Sequence, residues 1–160
     1  VLILATALFP VVVVPAQEGN QCTPEGTRVN LRVTRDSYDR SEPVRMRLRA
    51  ENTSDRACEM QFPSGRGGTV RVFKDGELVW EQGYCKVYTA HIEIETWEPG
   101  RTESYGFRWK QHLNDRDKKG RLRCGGEMPL AEPGRYEARG IFFGSEPDDK
   151  TDRVAFRIAG

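Results

Sequence analysis

The strictest constraint in this chain is a two-residue period. In Pro43-Val-Arg-Met-Arg-Leu-Arg-Ala50, the apolar Val44, Met46, Leu48 and Ala50 alternate with Arg45, Arg47 and Arg49. Only an extended strand puts every second side chain on one face; a helix would scatter both sets around its circumference. The same alternation recurs at residues 28–34, where Val29, Leu31 and Val33 share a face, and again at 58–62, 69–73, 77–81, 91–95, 104–109, 135–143 and 153–158. Turn-forming residues separate these runs: Ser41-Glu-Pro, Asn52-Thr-Ser-Asp, Asp75-Gly76, Pro99-Gly100 and Pro133-Gly134. About nine short strands at this spacing read as a sandwich or barrel.

One buried and one wetted face per strand is how antiparallel sheets read. The expected fold is therefore all-β, an immunoglobulin-like antiparallel β-sandwich in a single domain over residues 28–160. Trp80, Tyr105, Phe107, Trp109, Tyr136 and Phe143 fall mostly on inward parity and are expected in the core. Trp97, just before Glu98-Pro99-Gly100, is expected exposed at a sheet end, and His91, Glu93 and Glu95 face solvent on their strand. Residues 111–132 hold few apolar side chains and read as a long surface excursion.

The first sixteen residues, VLILATALFPVVVVPA, are uncharged and almost wholly apolar. They read as a secretory signal truncated at its start, with Val14 and Ala16 as the small residues before a cut at Gln17 and residues 17–27 as an N-terminal segment. A membrane anchor needs about 20 apolar residues, so no membrane association is expected after cleavage. The implied location is secreted or cell envelope. Cys22, Cys58, Cys85 and Cys124 all follow the cut and are even in number, which in an oxidising location means two disulfides. Four cysteines allow three connectivities and sequence does not choose among them; the pairing preferred here is Cys22–Cys58 with Cys85–Cys124. Zinc ligands pair at two- to four-residue spacing, far closer than these cysteines stand, so no metal or cofactor is expected.

With 25 basic and 24 acidic side chains, no net field steers the chain toward nucleic acid or an anionic membrane. The arginine row at 45, 47 and 49 reads as a solvated face that pairs across the sheet with a glutamate row such as Glu93 and Glu95. Gly65-Arg-Gly-Gly68 lacks the spacing and terminal Lys-Ser/Thr of a phosphate loop, and reads as a tight connection between strands. Residues 114–126 resemble a calcium loop only superficially, because Lys119 and Gly126 occupy positions that need oxygen ligands. Asp148, Asp149 and Asp152 read as a polar turn. His91 and His112 have no nucleophile motif near them and no G-x-S-x-G is present, so the chain is read as a non-enzyme.

Several pieces in order resemble one family. Asn52-Thr53-Ser54, Phe62-Pro63-Ser64-Gly65, Val70-x-Val72-x-x-Asp75-Gly76-x-x-Val79-Trp80, Pro99-Gly100, Phe107-x-Trp109 and Pro133-Gly134-x-Tyr136 together resemble the BsuPI-type proteinase inhibitors over roughly residues 28–143. The resemblance implies an immunoglobulin-like sandwich and inhibition of a serine proteinase. The family's namesake is intracellular and lacks a disulfide framework, whereas this chain reads as exported, so the implied partner is an extracellular or envelope serine proteinase met by a monomer. The expected contact loop is Ser64, Gly65, Arg66, Gly67 and Gly68, with Arg66 filling a pocket for basic side chains. The excursion at 114–126 is the second choice. The alternative reading is a cell-envelope adhesion or protein-interaction module without inhibitory activity.

Overall fold

The computed structural model describes residues 20–117, 120–124, 128–145 and 149–160. The expected signal at 1–16 lies outside them. A short 3₁₀ turn, Pro24–Gly26, precedes eleven strands among the described residues. These are β1 (Thr27–Val33), β2 (Ser37–Tyr38), β3 (Val44–Asn52), β4 (Cys58–Pro63), β5 (Gly68–Lys74), β6 (Glu77–Glu81), β7 (Ile92–Trp97), β8 (Thr102–Trp109), β9 (Gly134–Phe142), β10 (Asp149–Lys150) and β11 (Val154–Ile158). The chain is all-β, as its alternation requires, and its sheets pack as a β-sandwich.

One sheet runs β1-β3-β8 and another β2-β11-β9-β5-β6, with β10 also on β9; β4 and β7 form a separate pair. All pairings are antiparallel except β2 with β11, which is parallel. The core lies between the first two sheets and is closed at one end by β4 and β7. Trp109 of β8 meets Tyr136 of β9 at 5.6 Å between ring centroids, and Phe142 gathers Phe62, Trp97 and Tyr105 within 6.2 Å. Burial of such rings is the main apolar contribution to the fold. The β5–β6 hairpin turns on Asp75 (φ 51°) and Gly76 (φ 85°), the two left-handed residues that a two-residue hairpin demands.

The corner between β3 and β4 explains Asn52-Thr53-Ser54. Asn52 is fully buried. Its Nδ2 donates to Trp97 O (2.8 Å) and Arg56 O (3.0 Å), while its Oδ1 accepts from the backbone N (3.0 Å) and hydroxyl (2.6 Å) of Ser54. Every polar atom of this buried amide is satisfied, which is the condition for keeping it in a core.

One expectation fails on β7. Trp97 is 0 % exposed rather than solvent-facing. Its ring lies 6.2 Å from Phe62 and 5.9 Å from Phe142. His91 and Glu93 are exposed as expected and Glu95 is half-buried, while Ile92 and Ile94 on the opposite parity are exposed too, at 63 % and 58 %. A second correction concerns the charge rows. β7 pairs with β4, so Glu93 and Glu95 are not opposite the β3 arginines. Arg47 instead faces Arg32 on β1, and Arg45 faces Arg108 on β8.

Candidate functional site

The expected contact loop leaves β4 through Ser64 (φ 57°) and Gly65 (φ 64°), two successive left-handed residues. Gly65 N donates to Phe62 O and Arg66 N to Pro63 O, both at 3.2 Å, so the glycine-rich stretch is the tight connection its sequence indicates. Gly67 is there because its backbone lies against the Tyr105 ring. A Cβ at this position would come within 2.1 Å of ring carbons. Burial pushes the Tyr105 phenol well above its usual pKa. A shallow groove of about 460 Å³, lined by Arg66, Gln82, Tyr88, Tyr105 and Phe107, opens beside this contact.

Arg66 does not project from the loop. Its guanidinium lies 3.8 Å from the Tyr88 ring centroid and 5.0 Å from that of Phe143. It is half-buried, held by stacking on two aromatic faces.

Tyr88 belongs to the connection between β6 and β7, residues 82–91, and this is the segment on which the neighbouring loops converge. Its start is tied to β5: Gln82 N donates to Val70 O (2.9 Å) and Thr69 Oγ1 donates to Gln82 O (3.0 Å). Gly83 (φ 73°) opens a turn closed by Lys86 N donating to Gly83 O at 2.9 Å. On the far side Ser64 N donates to His91 O (2.7 Å), and the Ser64 hydroxyl donates to Thr89 O. From the excursion, Cys124 bonds Cys85 and Leu122 O accepts from the Tyr84 hydroxyl at 3.0 Å. Both sequence-predicted loops therefore make contact with this segment. Between these contacts, Lys86 and Val87 stand clear of the body, and Val87 is 101 % exposed.

The excursion is itself ordered by ion pairs, Arg121 Nε to Asp117 Oδ2 at 2.7 Å and Arg123 to Asp115. Asn114 Oδ1 accepts from Glu81 N at 2.8 Å. Lys119 and Gly126, the decisive positions of the calcium-loop comparison, lie outside the described residues, as does Asp148. Among the described residues no group of three or more His, Cys, Asp or Glu side chains converges as metal ligands would. His91 Nδ1 shares a hydrogen bond with Thr89 Oγ1 (2.8 Å), and His112 Nδ1 donates to Met128 O (2.9 Å). No helix of the described residues is long and apolar enough to cross a membrane.

Both expected disulfides, Cys22–Cys58 and Cys85–Cys124, are present. Comparison with known proteins adds the family. Residues 31–146, well over half the chain, match BsuPI, described as an intracellular proteinase inhibitor. The chain belongs to this family. BsuPI proteins are inhibitors, a non-catalytic role. The match corrects the expected location: the family is described as intracellular, the apolar stretch from which export was read lies outside the described residues, and the two disulfides are only weak support for an extracytoplasmic site.

No curated protein sequence matches this BsuPI chain. Solved structures similar to it include a β-glucosidase from Erythrobacter marinus (15 % identity, TM-score 0.45, 83 % of this chain and 15 % of that one). Another is a β-glucosidase from Listeria innocua (13 % identity, TM-score 0.45, 84 % and 16 %). A third is the Pseudomonas fluorescens alkylpurine DNA glycosylase AlkC (10 % identity, TM-score 0.46, 84 % and 31 %). The chain spans under a third of each of these proteins, and likeness at this level says nothing about its activity.

Proposed function

We propose that this BsuPI chain inhibits a serine proteinase by inserting the apex of loop 83–91 into the enzyme's cleft. The observation that carries the reading is the contrast between apex and base. Val87 is wholly in water, while the loop beneath it is fixed by a disulfide, by Ser64 and by the Arg66–Tyr88 stack. A segment already ordered before binding loses little conformational freedom when it docks. Val87 regains about 1.5–3 kcal/mol of apolar burial on entering a pocket. Residues 64–68 serve as the platform, Arg66 as a strut rather than the pocket-filling side chain. Because the apical side chain is a small aliphatic one, the matching enzyme has a small apolar primary pocket. The chain then acts as a binder with no catalytic step of its own.

The test is inhibition by the purified chain of serine proteinases whose pockets prefer aliphatic, aromatic or basic residues. The unmodified chain should inhibit an aliphatic-preferring enzyme. Val87→Asp should weaken that inhibition about a hundredfold or more, as losing a central anchor does, without changing the melting temperature. Val87→Phe should move preference toward aromatic-accepting enzymes. Inhibition that survives Val87→Asp unchanged assigns the contact elsewhere, and no inhibition of any enzyme rejects the function.

The second reading, a protein-interaction module without inhibitory activity, draws on Ile92 and Ile94. Ser64 N bonds His91 O, and antiparallel pairs alternate between bonded and non-bonded. The backbone groups of Ile92 and Ile94 thus point away from β4 at an open edge, where an added strand would find partners. Loss of partner binding in Ile94→Lys, with inhibition absent throughout, would favour this reading.

A further inference from the structure

The outer face of β1-β3-β8 carries the longest row of arginines on one strand. Several arginines elsewhere sit beside carboxylates, Arg71 with Glu81, Arg101 with Glu95 and Glu103, Arg153 with Glu137, although Arg135 and Arg157 also face each other on β9 and β11. On this face Arg32 stands directly opposite Arg47, and Arg45 opposite Arg108, all exposed. Like charges directly opposite destabilise a sheet, so nothing in the fold favours this arrangement. Glu51 approaches Arg28 (3.7 Å) and Arg49 (3.9 Å) at one margin. Among the described residues, no carboxylate forms an ion pair with Arg32, Arg45, Arg47 or Arg108. The chain as a whole carries a net charge of only +1, so these four arginines form a local positive patch that the overall charge does not reveal.

The face is also shaped. Arg32, Arg47 and Arg49 wall a depression of about 560 Å³ whose floor is Asn30, Thr102 and Ser104. Beside it Gly106, opposite Arg47, leaves open space where a side chain would stand. Guanidinium groups offer paired donors that match the two oxygens of a carboxylate. Arg45, Arg47 and Arg49 are alternate residues of one strand and so repeat at about 6.8 Å. An extended peptide with acidic residues at alternate positions carries its carboxylates at the same repeat. Nucleic acid fits less well, because the outward positions of these three strands hold no aromatic side chain on which a base could stack.

We propose that this face docks an extended acidic segment of a partner protein, its alternate carboxylates pairing with Arg45, Arg47 and Arg49 along the depression floored by Asn30, Thr102 and Ser104. The proposal does not depend on the inhibitor reading, since it concerns a different set of strands and requires no proteinase.

The experiment is fluorescence anisotropy of the intact chain with a labelled peptide of alternating Glu and Thr. A peptide of the same composition with its glutamates in one block, and a mixed-sequence single-stranded DNA of equal charge, serve as comparators. The alternating peptide should bind best. Its affinity should fall about tenfold when salt rises from about 50 to about 300 mM. Arg45→Gln/Arg47→Gln/Arg49→Gln should weaken it at least tenfold. These side chains are exposed, so the triple variant should keep its melting temperature; Arg135→Gln/Arg157→Gln, on β9 and β11, should bind as the unmodified chain does. Absence of binding, or insensitivity to the triple substitution, overturns the proposal. Equal affinity for the block peptide overturns its spacing argument, and tighter binding of the DNA replaces the partner with nucleic acid.

Discussion

The two disulfides enclose segments of nearly equal length, with sequence separations of 36 and 39, yet they sit in opposite surroundings. Cys22 and Cys58 are 2 % and 6 % exposed and belong to the hydrophobic core. They anchor the segment before β1 to β4, where Cys22 N also donates to Glu59 O and Glu59 N to Asn20 O. Cys85 and Cys124 are exposed and join two surface loops. In the chain-entropy account, loops of this size contribute about 4 kcal/mol each by restricting the unfolded chain. What separates the bonds is therefore the folded side. The inner one is packed as well as linked, whereas the outer one chiefly determines where Tyr84, Lys86 and Val87 stand.

The largest effect should come from Cys22→Ala/Cys58→Ala, a loss of about 4–5 kcal/mol in denaturant unfolding because a buried bond and its packing go together. An equal loss in Cys85→Ala/Cys124→Ala would break the comparison. Next, Gly67→Ala should cost about 2–3 kcal/mol, the range for overpacking, since the new methyl has to displace the Tyr105 ring or the loop. It tests whether the loop end is tied to the sandwich as firmly as the inner bond ties β4. Cys85→Ala/Cys124→Ala should cost only about 1–2 kcal/mol, because the exposed loops regain freedom in the folded chain as well and offset much of the unfolded-state term, and that same freedom should weaken inhibition about tenfold. Mild thiol followed by alkylation and mass measurement should label Cys85 and Cys124 before Cys22 and Cys58, because thiolate attack needs access.

The smallest effect is electrostatic. The Arg35 hydrogen bond holds the exposed Glu42 carboxyl below the usual range, with a lesser contribution from Asp39 N. A depressed folded-state pKa means the stabilisation is present above the unfolded value and lost as pH falls through the folded one. Glu42→Gln should slightly flatten the acid side of the pH–stability curve and leave the order in which the two disulfides are reduced unchanged.

Strands were legible because alternation is a local property, and the preferred cysteine pairing matches the structure although spacing alone did not select it. Facing is harder to read when both faces carry plausible residues. On β7 the apolar Ile92 and Ile94 suggested the buried side. Trp97 is buried against Phe62 and Phe142 on the other side, while Glu93 stays exposed, so both faces of β7 are open toward its start and only its end is committed to the core. The arginine row is a solvated face as read, but its cross-strand partners were not legible, for a different reason. Which strand lies opposite β3 is a matter of sheet order, and no local pattern records it. The proposed contact loop 83–91 was not singled out from sequence because Lys86-Val87-Tyr88 has no periodicity. The available signal was a ten-residue connection, longer than its neighbours and containing a cysteine.

The freedom of Lys86 and Val87 from the body has an evolutionary consequence. Side chains that touch nothing in the folded chain can be exchanged at little cost to folding, and loops of this kind tolerate such change. Under the proposed inhibitor reading, target choice and foldability are carried by separate residues. A new specificity would then need only a rewritten apex, while Ser64, Gly67, Arg66, Tyr88 and the outer disulfide keep presenting it in the same place. The same separation makes this end of the sandwich a mounting point for grafted sequences.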